Sequence, residues 1–317
     1  MNETFLKKYK PKFYNDFIID KEYIHLLKTL IKMDTLNILL IGNTSCGKSS
    51  LLDATIREYY NCETIPKNNV LYINNLQEQG ISYYRTEVKT FCQTPSMMSG
   101  KKKFIILDDI DTINEQSQQV FRNCIDKYSH NVNFIASCCN TQKVVESIQS
   151  RITLVKLKPA TKEILKKILL KIKKNENINI SETAQDFILN ICNNSLRLLI
   201  NYMEKFNLLD EKITINKAKD ICTNISFFDL EKYTIEWFKN KNLSSAVKLI
   251  YSIYEKGYSV MDILDSYFQF IKITDILTEE NKYKSTFLIC RYISLFHTLH
   301  ENEIELIFFT NDLINEI

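Results

Sequence analysis

The stretch at residues 41–50, which reads IGNTSCGKSS, decides the fold class of the amino-terminal half. It holds two of the five glycines in a chain of 317 residues. An apolar run precedes it and a helix-like pattern follows it. Glycines at this spacing let successive backbone N–H groups point inward at a phosphate, and the following helix adds its positive end. The stretch predicts a phosphate-binding loop made of Gly42, Asn43, Thr44, Ser45, Cys46, Gly47, Lys48, Ser49 and Ser50.

The predicted loop ends in residue types that handle a nucleotide with its metal. Lys48 would neutralise charge on the β- and γ-phosphates, and the hydroxyl of Ser49 would bind Mg²⁺. An acidic pair, Asp108 and Asp109, follows the apolar run 104–107. Since ligands of open α/β sheets bind at the carboxyl ends of strands, we expect Asp108 to hold the metal through water. Asp109 would orient or deprotonate the attacking water, and the predicted cofactors are therefore ATP and Mg²⁺.

The first half of the chain alternates short apolar runs with helix-like patterns, which is typical of a parallel α/β sheet. Most of the runs are apolar throughout, so we expect helices on both faces of the sheet. The predicted strands are 37–41, 70–73, 104–107, 132–136 and 153–157. The predicted helices are 49–60, 80–93, 115–128 and 142–149.

After Pro159 the strand signals stop and the pattern is helical almost to the end. Ser181 and Ser259 are predicted helix N-caps, and Gly257 lies where a helix would end. We expect three domains: an α/β domain over 1–158, a small helical domain over 159–226 and a separate helical bundle over 227–317.

Composition restricts the class of protein. A hydrophobic content of 45% is typical of a folded globular chain, and a net charge of +3 permits a nucleic-acid partner without implying one. The lysines at 101–103 and 166–174 either face DNA or lie on solvated surfaces. No apolar run is long enough to span a membrane, so we expect a soluble intracellular protein with no membrane partner. Nine cysteines without a C-x-x-C pair are interpreted as reduced thiols.

The loop, the segment LDDID at 107–111 and the triplet QSR at 149–151 make the chain resemble the small subunits of replication factor C, the clamp loader of the AAA+ superfamily. Other segments match the family as well. Residues 9–12, YKPK, resemble the family's YRPK, which lies against adenine and implies contacts from Tyr9, Lys10 and Pro11. Residues 74–81, NNLQEQGI, match NASDERGI, and 118–122, QQVFR, match QQALR. Arg197, in the triplet SLR, matches the sensor 2 arginine of the helical lid.

The resemblance implies partners. These are other clamp-loader subunits in a hetero-oligomer, a pentamer held by a helical collar, together with a sliding clamp and primer-template DNA bound without sequence preference. Arg85, Lys89 and Lys143 are the implied DNA contacts, and solvated surface lysines are the alternative. The clamp would meet the region 115–128 and the loop before it, where Val120 and Phe121 are either clamp-facing or core residues.

Two departures from the family pattern bear on hydrolysis. Asp109 stands where the family has glutamate, and a carboxylate withdrawn by more than about one ångström can cost about a hundredfold in rate. Cys139 aligns with the sensor 1 asparagine, so either Asn140 serves after a one-residue shift or sensor 1 is lost. Arg151 matches the arginine that reaches into a neighbour's ATP site. We therefore expect a subunit that binds ATP and completes its neighbour's site but hydrolyses slowly itself.

Three other functions are open at this point. The first is a stand-alone P-loop enzyme, such as a nucleotide kinase or a helicase-like motor. The second is a scaffold subunit of the same complex that does not hydrolyse ATP. The third is an AAA+ initiator or remodeller, which should carry a module that reads DNA sequence; no such signature is visible.

Overall fold

The structure is a computed structural model that describes residues 3–18, 21–73, 84–209, 211–222, 224–296 and 298–317. It divides into two compact units. The first comprises Met1–Lys171 with Asn194–Glu204, and the second comprises Ile172–Asn193 with Lys205–Ile317. The three-domain division stays a prediction. Among the described residues, no helix combines the length and the apolar character that crossing a membrane requires.

The first unit is built on a five-stranded parallel sheet in the order β2-β3-β4-β1-β5. All five predicted strands are confirmed. Their bounds are Ile38–Ile41 (β1), Val70–Ile73 (β2), Lys103–Leu107 (β3), Val132–Cys138 (β4) and Thr153–Lys156 (β5). The phosphate loop follows β1 and the acidic pair follows β3, so the end of β4 lies between them.

Both faces of the sheet are covered, as the apolar strands predict. On β3, Ile105 and Leu107 lie in one buried cluster, and Phe104 and Ile106 lie in another. Successive residues of a strand point to opposite faces, which explains this division. The edge strand β5 differs, because its Leu154 is 47% exposed. The α-helices associated with this part of the chain are Phe5–Lys8 (α1), Lys21–Lys32 (α2), Lys48–Tyr60 (α3), Lys89–Gln93 (α4), Glu115–Tyr128 (α5), Glu146–Gln149 (α6) and Lys162–Asn175 (α7).

The predicted helix at 142–149 is wrong as a single helix. A 3₁₀ turn, Thr141–Lys143, and the short helix α6 take its place. The fully buried side chain of Gln118 lies at the break: its Nε2 donates to the carbonyl of Lys143, and its Oε1 accepts from the N–H of Val145, both at 2.9 Å. These bonds satisfy backbone groups next to the break, so the interruption is stable. The predicted helix at 80–93 is seen as a π-helical segment, Tyr84–Val88, and α4, and its first residues lie outside the described part.

The rest of the chain is helical, as predicted. Ser181 accepts a hydrogen bond from the N–H of Ala184, and Ser259 accepts one from Asp262, so both predicted N-caps are confirmed. Gly257 has a φ of +92°, which favours glycine, three residues after a helix ends at Tyr254. The helices are Glu182–Ile191 (α8), Leu196–Leu209 (α9), Ile215–Ile221 (α10), Phe227–Thr234 (α11), Leu243–Tyr254 (α12), Val260–Ile273 (α13), Glu279–Leu295 (α14) and Ile304–Glu316 (α15), with a π-helical segment at Ile235–Lys239.

Candidate nucleotide-binding site

The loop between β1 and α3 needs its two glycines for different reasons. At Gly42 a Cβ atom would lie 2.8 Å from Cys46 Sγ and 3.2 Å from the carbonyl oxygen of Leu157, so a side chain would have to displace the thiol and would crowd that carbonyl. At Gly47 there is space, but φ is +94°, a left-handed conformation that L-residues rarely adopt. The steric crowding at Gly42 and the left-handed backbone at Gly47 explain why a chain with few glycines has two of them in this loop.

Lys48 is held at the centre of the loop. Its side chain is 7% exposed, and its Nζ donates to the carbonyl oxygens of Gly42 at 2.8 Å and Asn43 at 3.1 Å. A buried ammonium group that faces backbone dipoles inside a loop of this shape is placed to meet an anionic ligand.

Ser49 and Asp108 meet at the carboxyl edge of the sheet. The Ser49 hydroxyl donates to Asp108 Oδ2 at 2.9 Å and lies 3.2 Å from Oδ1. Hydroxyl and carboxylate oxygens are hard donors of the kind that Mg²⁺ prefers. Ser49 lies in the first turn of α3 and Asp108 directly follows β3, yet their side chains are in contact beside the phosphate loop. The residues present therefore fit a magnesium ion that accompanies a nucleotide.

Asp109 adopts a left-handed conformation, with φ at +54°. Partial burial raises the pKa of its carboxyl, and the negative charge of Asp108 adds to that increase. The charges of Lys48 and Arg197 act in the opposite direction, with Lys48 the stronger of the two. A raised pKa makes the carboxylate a stronger base, which suits a group that activates water.

The thiol of Cys139, and not the amide of Asn140, lies against the phosphate-loop lysine. Lys48 Nζ is 3.2 Å from Cys139 Sγ. The Asn140 side chain instead accepts from the N–H of Gln142 at 2.9 Å and caps the turn that follows. Both backbone N–H groups, of Cys139 and Asn140, donate to Asp111 Oδ2. This placement favours the interpretation that sensor 1 is lost over the alternative that Asn140 takes its role. The catalytic role of Asn140 stays a prediction.

The amino-terminal segment is attached to α3, the helix that follows the loop. Lys10 Nζ forms an ion pair with Asp53 Oδ2 at 2.5 Å. The hydroxyl of Tyr14 donates to Thr55 Oγ1 at 2.9 Å. Tyr9 packs edge-on against Phe5 with ring centroids 5.6 Å apart, and Pro11 is partly buried. The structure thus holds the segment predicted to contact adenine on the helix that begins at the phosphate loop.

The two matched arginines lie in the same compact unit as the loop. Arg197, on the first turn of α9, is exposed, and its charge acts on the Asp109 carboxyl. Arg151 is held elsewhere: its Nε donates to Asp126 Oδ1 at 2.6 Å and its Nη1 to the carbonyl of Ser147 at 2.7 Å. These hydrogen-bond partners of Arg151 lie outside the phosphate loop, and its role at a neighbouring subunit's site stays a prediction.

Comparison with known proteins agrees with this geometry. A family model described as an AAA domain matches residues 35–165. Human replication factor C subunit 5 is 25% identical over 276 residues, which cover 86% of this chain and 81% of that protein. A replication factor C small subunit of Methanococcus vannielii is 25% identical over 281 residues, which cover 88% and 89%. Over most of its length the chain is therefore similar to small subunits of replication factor C, and residues 35–165 match an AAA domain.

Solved structures agree on the fold. The RuvB Holliday junction branch migration motor of Thermotoga maritima superposes with a TM-score of 0.55 at 12% identity, over 76% of this chain and 85% of that one. Identity at this level shows the fold alone. The role that the relatives support is that of a clamp-loader ATPase in DNA replication. They do not favour the nucleotide-kinase, scaffold or initiator alternatives.

The structure changes several predictions about the surface of the protein. Each lysine of 101–103 has a partner within its unit: Lys101 Nζ donates to the carbonyl of Tyr59, Lys102 pairs with Asp34, and Lys103 is buried. These three lysines therefore do not form a free DNA-facing surface. Phe121 is fully buried, so of its two alternatives it is a core residue and does not face the clamp. Val120 is partly buried and packs against the same cluster.

The proposed DNA contacts are only partly described. Lys89 and Lys143 are exposed, on α4 and on the 3₁₀ turn after β4. The side chain of Arg85 and the matched segment at 74–81 lie outside the described residues. The DNA-contact assignments stay predictions.

The position of Cys139 can be checked by thiol labelling. Cys139 and Cys290 are exposed, whereas burial raises the pKa of Cys46 and raises that of Cys138 to about 12. We expect a maleimide to label Cys139 and Cys290, because reaction needs an accessible thiolate. ATP with Mg²⁺ should slow labelling of Cys139 by roughly tenfold or more, as expected for tight occupancy of the site, and leave Cys290 unchanged. Equal labelling of both thiols with and without ATP, read by peptide mass spectrometry, would contradict the placement.

Proposed function

We propose that the chain is the ATP-binding small subunit of a hetero-oligomeric, five-membered clamp loader that opens a sliding clamp and loads it onto primer-template DNA. The observation that carries the proposal is a pair of contacts at one loop: Lys48 donates to the carbonyl of Gly42, and the next residue, Ser49, donates to Asp108. A chain that is similar to replication factor C small subunits and retains Lys48, Ser49 and Asp108 in these positions retains the groups that bind ATP with its metal. The three-domain division into nucleotide-binding, lid and collar parts belongs to the same proposal.

In this proposal the residues of the loop and those around it bind different parts of the nucleotide and its metal. The backbone N–H groups of 42–50 and the start of α3 bind phosphate oxygens, and Lys48 neutralises their charge. Ser49 and Asp108 hold Mg²⁺, which when bound neutralises charge that develops on the phosphates. Tyr9, Lys10 and Pro11 lie against adenine, and Arg197 contributes a positive charge from α9. Asp109 orients the attacking water.

We further propose slow turnover at this subunit's own site. A thiol is a weak hydrogen-bond donor and cannot hold water as an amide does, and Cys139 occupies the position next to Lys48. Asp109 is one methylene shorter than the glutamate of the family. Both departures affect hydrolysis, whereas the groups that bind ATP are retained.

Replacement of Cys139 by asparagine tests this proposal. An amide at this position would orient water beside the γ-phosphate, so Cys139→Asn should raise ATP turnover by roughly tenfold with little change in ATP affinity. The measurement is single-turnover hydrolysis, with Cys290→Asn as the matched control at the other exposed cysteine. Unchanged turnover would show that Cys139 is not what limits the site.

DNA binding in this proposal is electrostatic and independent of sequence. Basic side chains and helix N-termini contact backbone phosphates, and the affinity falls steeply with salt. Lys89 and Lys143 are the described candidates, with Arg85 as a third. Helix α5 and the loop before it are the proposed clamp-facing region, although Phe121 itself is core.

The experiment that tests the proposed function is co-purification. The full chain should associate with other clamp-loader subunits and with a sliding clamp, and the complex should show ATPase activity stimulated by primer-template DNA. If the chain associates with no loader subunit and no clamp, the proposal is wrong.

A further inference from the structure

Ser137 is a fully buried residue near the end of β4, the strand between those that lead to the loop and to the acidic pair. Its hydroxyl donates to Asp108 Oδ1 at 2.5 Å and accepts from the backbone N–H of Asp109 at 3.0 Å. Because an N–H group can only donate, the single hydroxyl proton of Ser137 is directed at the carboxylate. One buried hydroxyl is thus bonded to both acidic residues.

The Asp108 carboxylate is held from two sides. Ser137 binds Oδ1, and Ser49 donates to Oδ2 at 2.9 Å. Ser49 is itself a proposed ligand of the metal, so its hydroxyl serves two purposes. Ser137, on β4, is not a proposed ligand of the metal. It is therefore the anchor of Asp108 that does not compete with the metal.

The same hydroxyl supports the conformation of Asp109. This residue adopts φ +54° and ψ 54°, where a non-glycine residue is uncommon. Its N–H points at Ser137 Oγ, which supplies the acceptor that a partly buried backbone donor requires. Loss of the hydroxyl would remove the hydrogen bond to Asp108 Oδ1 and leave the Asp109 N–H without this acceptor.

We infer that Ser137 is a positioning residue that sets the magnesium affinity of the nucleotide site by fixing the Asp108 carboxylate. The inference rests on the proposed nucleotide site. Outer-shell hydrogen bonds that orient a metal ligand are worth about 10- to 100-fold in metal affinity or activity. Ser137 acts through Asp108 and Asp109 and does not touch the nucleotide.

The test is the Mg²⁺ dependence of nucleotide binding by the full chain. Binding of a fluorescent ATP analogue is measured in EDTA and across a Mg²⁺ titration. Ser137→Ala should raise the Mg²⁺ concentration needed for half-maximal enhancement by about 10- to 100-fold. Binding in EDTA should be unchanged, since Lys48 and the loop are intact. S137T, which keeps the hydroxyl at a strand position where β-branched residues are favoured, should restore most of the response.

The matched control is Ser285→Ala. Ser285 is also fully buried, but it lies in the other compact unit, and within the described part of the chain its hydroxyl has no hydrogen-bond partner. Its removal should leave the Mg²⁺ response unchanged. If S137A fails to fold, S137C takes its place, because a thiol keeps the shape and weakens the donor.

The outcomes separate the inference from the proposed site. A wild-type Mg²⁺ response in the folded Ser137 variant overturns the inference, and so does an equal loss of affinity in EDTA, which would indicate general damage to the loop. If Lys48→Ala binds the analogue normally, the nucleotide site itself is wrong, whatever Ser137 does.

Discussion

Replacement of Lys48 by alanine is expected to weaken ATP binding by about 100-fold or more. The side chain supplies a buried positive charge to the phosphates, and hydrogen bonds to charged groups contribute roughly 1.5–3 kcal/mol each. About 3 kcal/mol corresponds to a loss of about 100-fold. The variant also leaves the carbonyl oxygens of Gly42 and Asn43 without the donor that they have now. Isothermal titration with ATP and Mg²⁺ measures the effect.

The control for Lys48 removes the same charge elsewhere. Lys171 is exposed on α7, far along the chain from the phosphate loop, so Lys171→Ala should bind ATP as the unmodified chain does. Thermal unfolding should show that both variants are folded. If Lys48→Ala retains ATP affinity within about threefold, a difference of under 1 kcal/mol, the loop is not the phosphate site.

Replacement of Arg151 by alanine is expected to abolish hydrolysis at the neighbouring subunit's site in the assembled complex. An arginine supplied by a neighbour stabilises the charge of the transferring phosphoryl group and is worth about 10³- to 10⁵-fold in rate. In this chain Asp126 and the Ser147 carbonyl hold the guanidinium through Nε and Nη1. Such a fixed, planar and always charged group suits bidentate binding of phosphate oxygens.

The contrast between two variants identifies where hydrolysis occurs. In the complex with its partner subunits, Arg151→Ala should reduce DNA-stimulated ATPase, whereas Lys48→Ala alone should leave the total almost unchanged because this subunit's own site is slow. Arg291→Ala is the control, since Arg291 is an exposed arginine on α14. Complex assembly is checked by size-exclusion chromatography. An intact complex in which Arg151→Ala hydrolyses ATP at the normal rate would refute the role in trans.

The sequence predicts the sheet well because each strand is a short run of apolar residues that must be buried. The strand predicted at 132–136 is the informative exception, since it extends to Cys138. Its last two residues are Ser137 and Cys138, and because serine is polar, the apolar pattern ends before them. The apolar pattern therefore does not single out Ser137, although it is bonded to both acidic residues. The same holds for Asp126, which precedes its partner Arg151 by twenty-five residues and looks like an ordinary surface acid.

What the sequence determined by itself is the phosphate loop and its setting. Two glycines, one lysine and one serine at fixed spacing between a strand and a helix are local requirements, because they concern the conformation of consecutive residues. Only the tertiary structure decided what surrounds Lys48 and Asp108. The order β2-β3-β4-β1-β5 places the end of β4 between loop and acids, which brings Cys139 to Lys48 and Ser137 to Asp108. Strand order is set by packing over long sequence separations, so a one-residue alternative such as Cys139 or Asn140 could be weighed only in three dimensions.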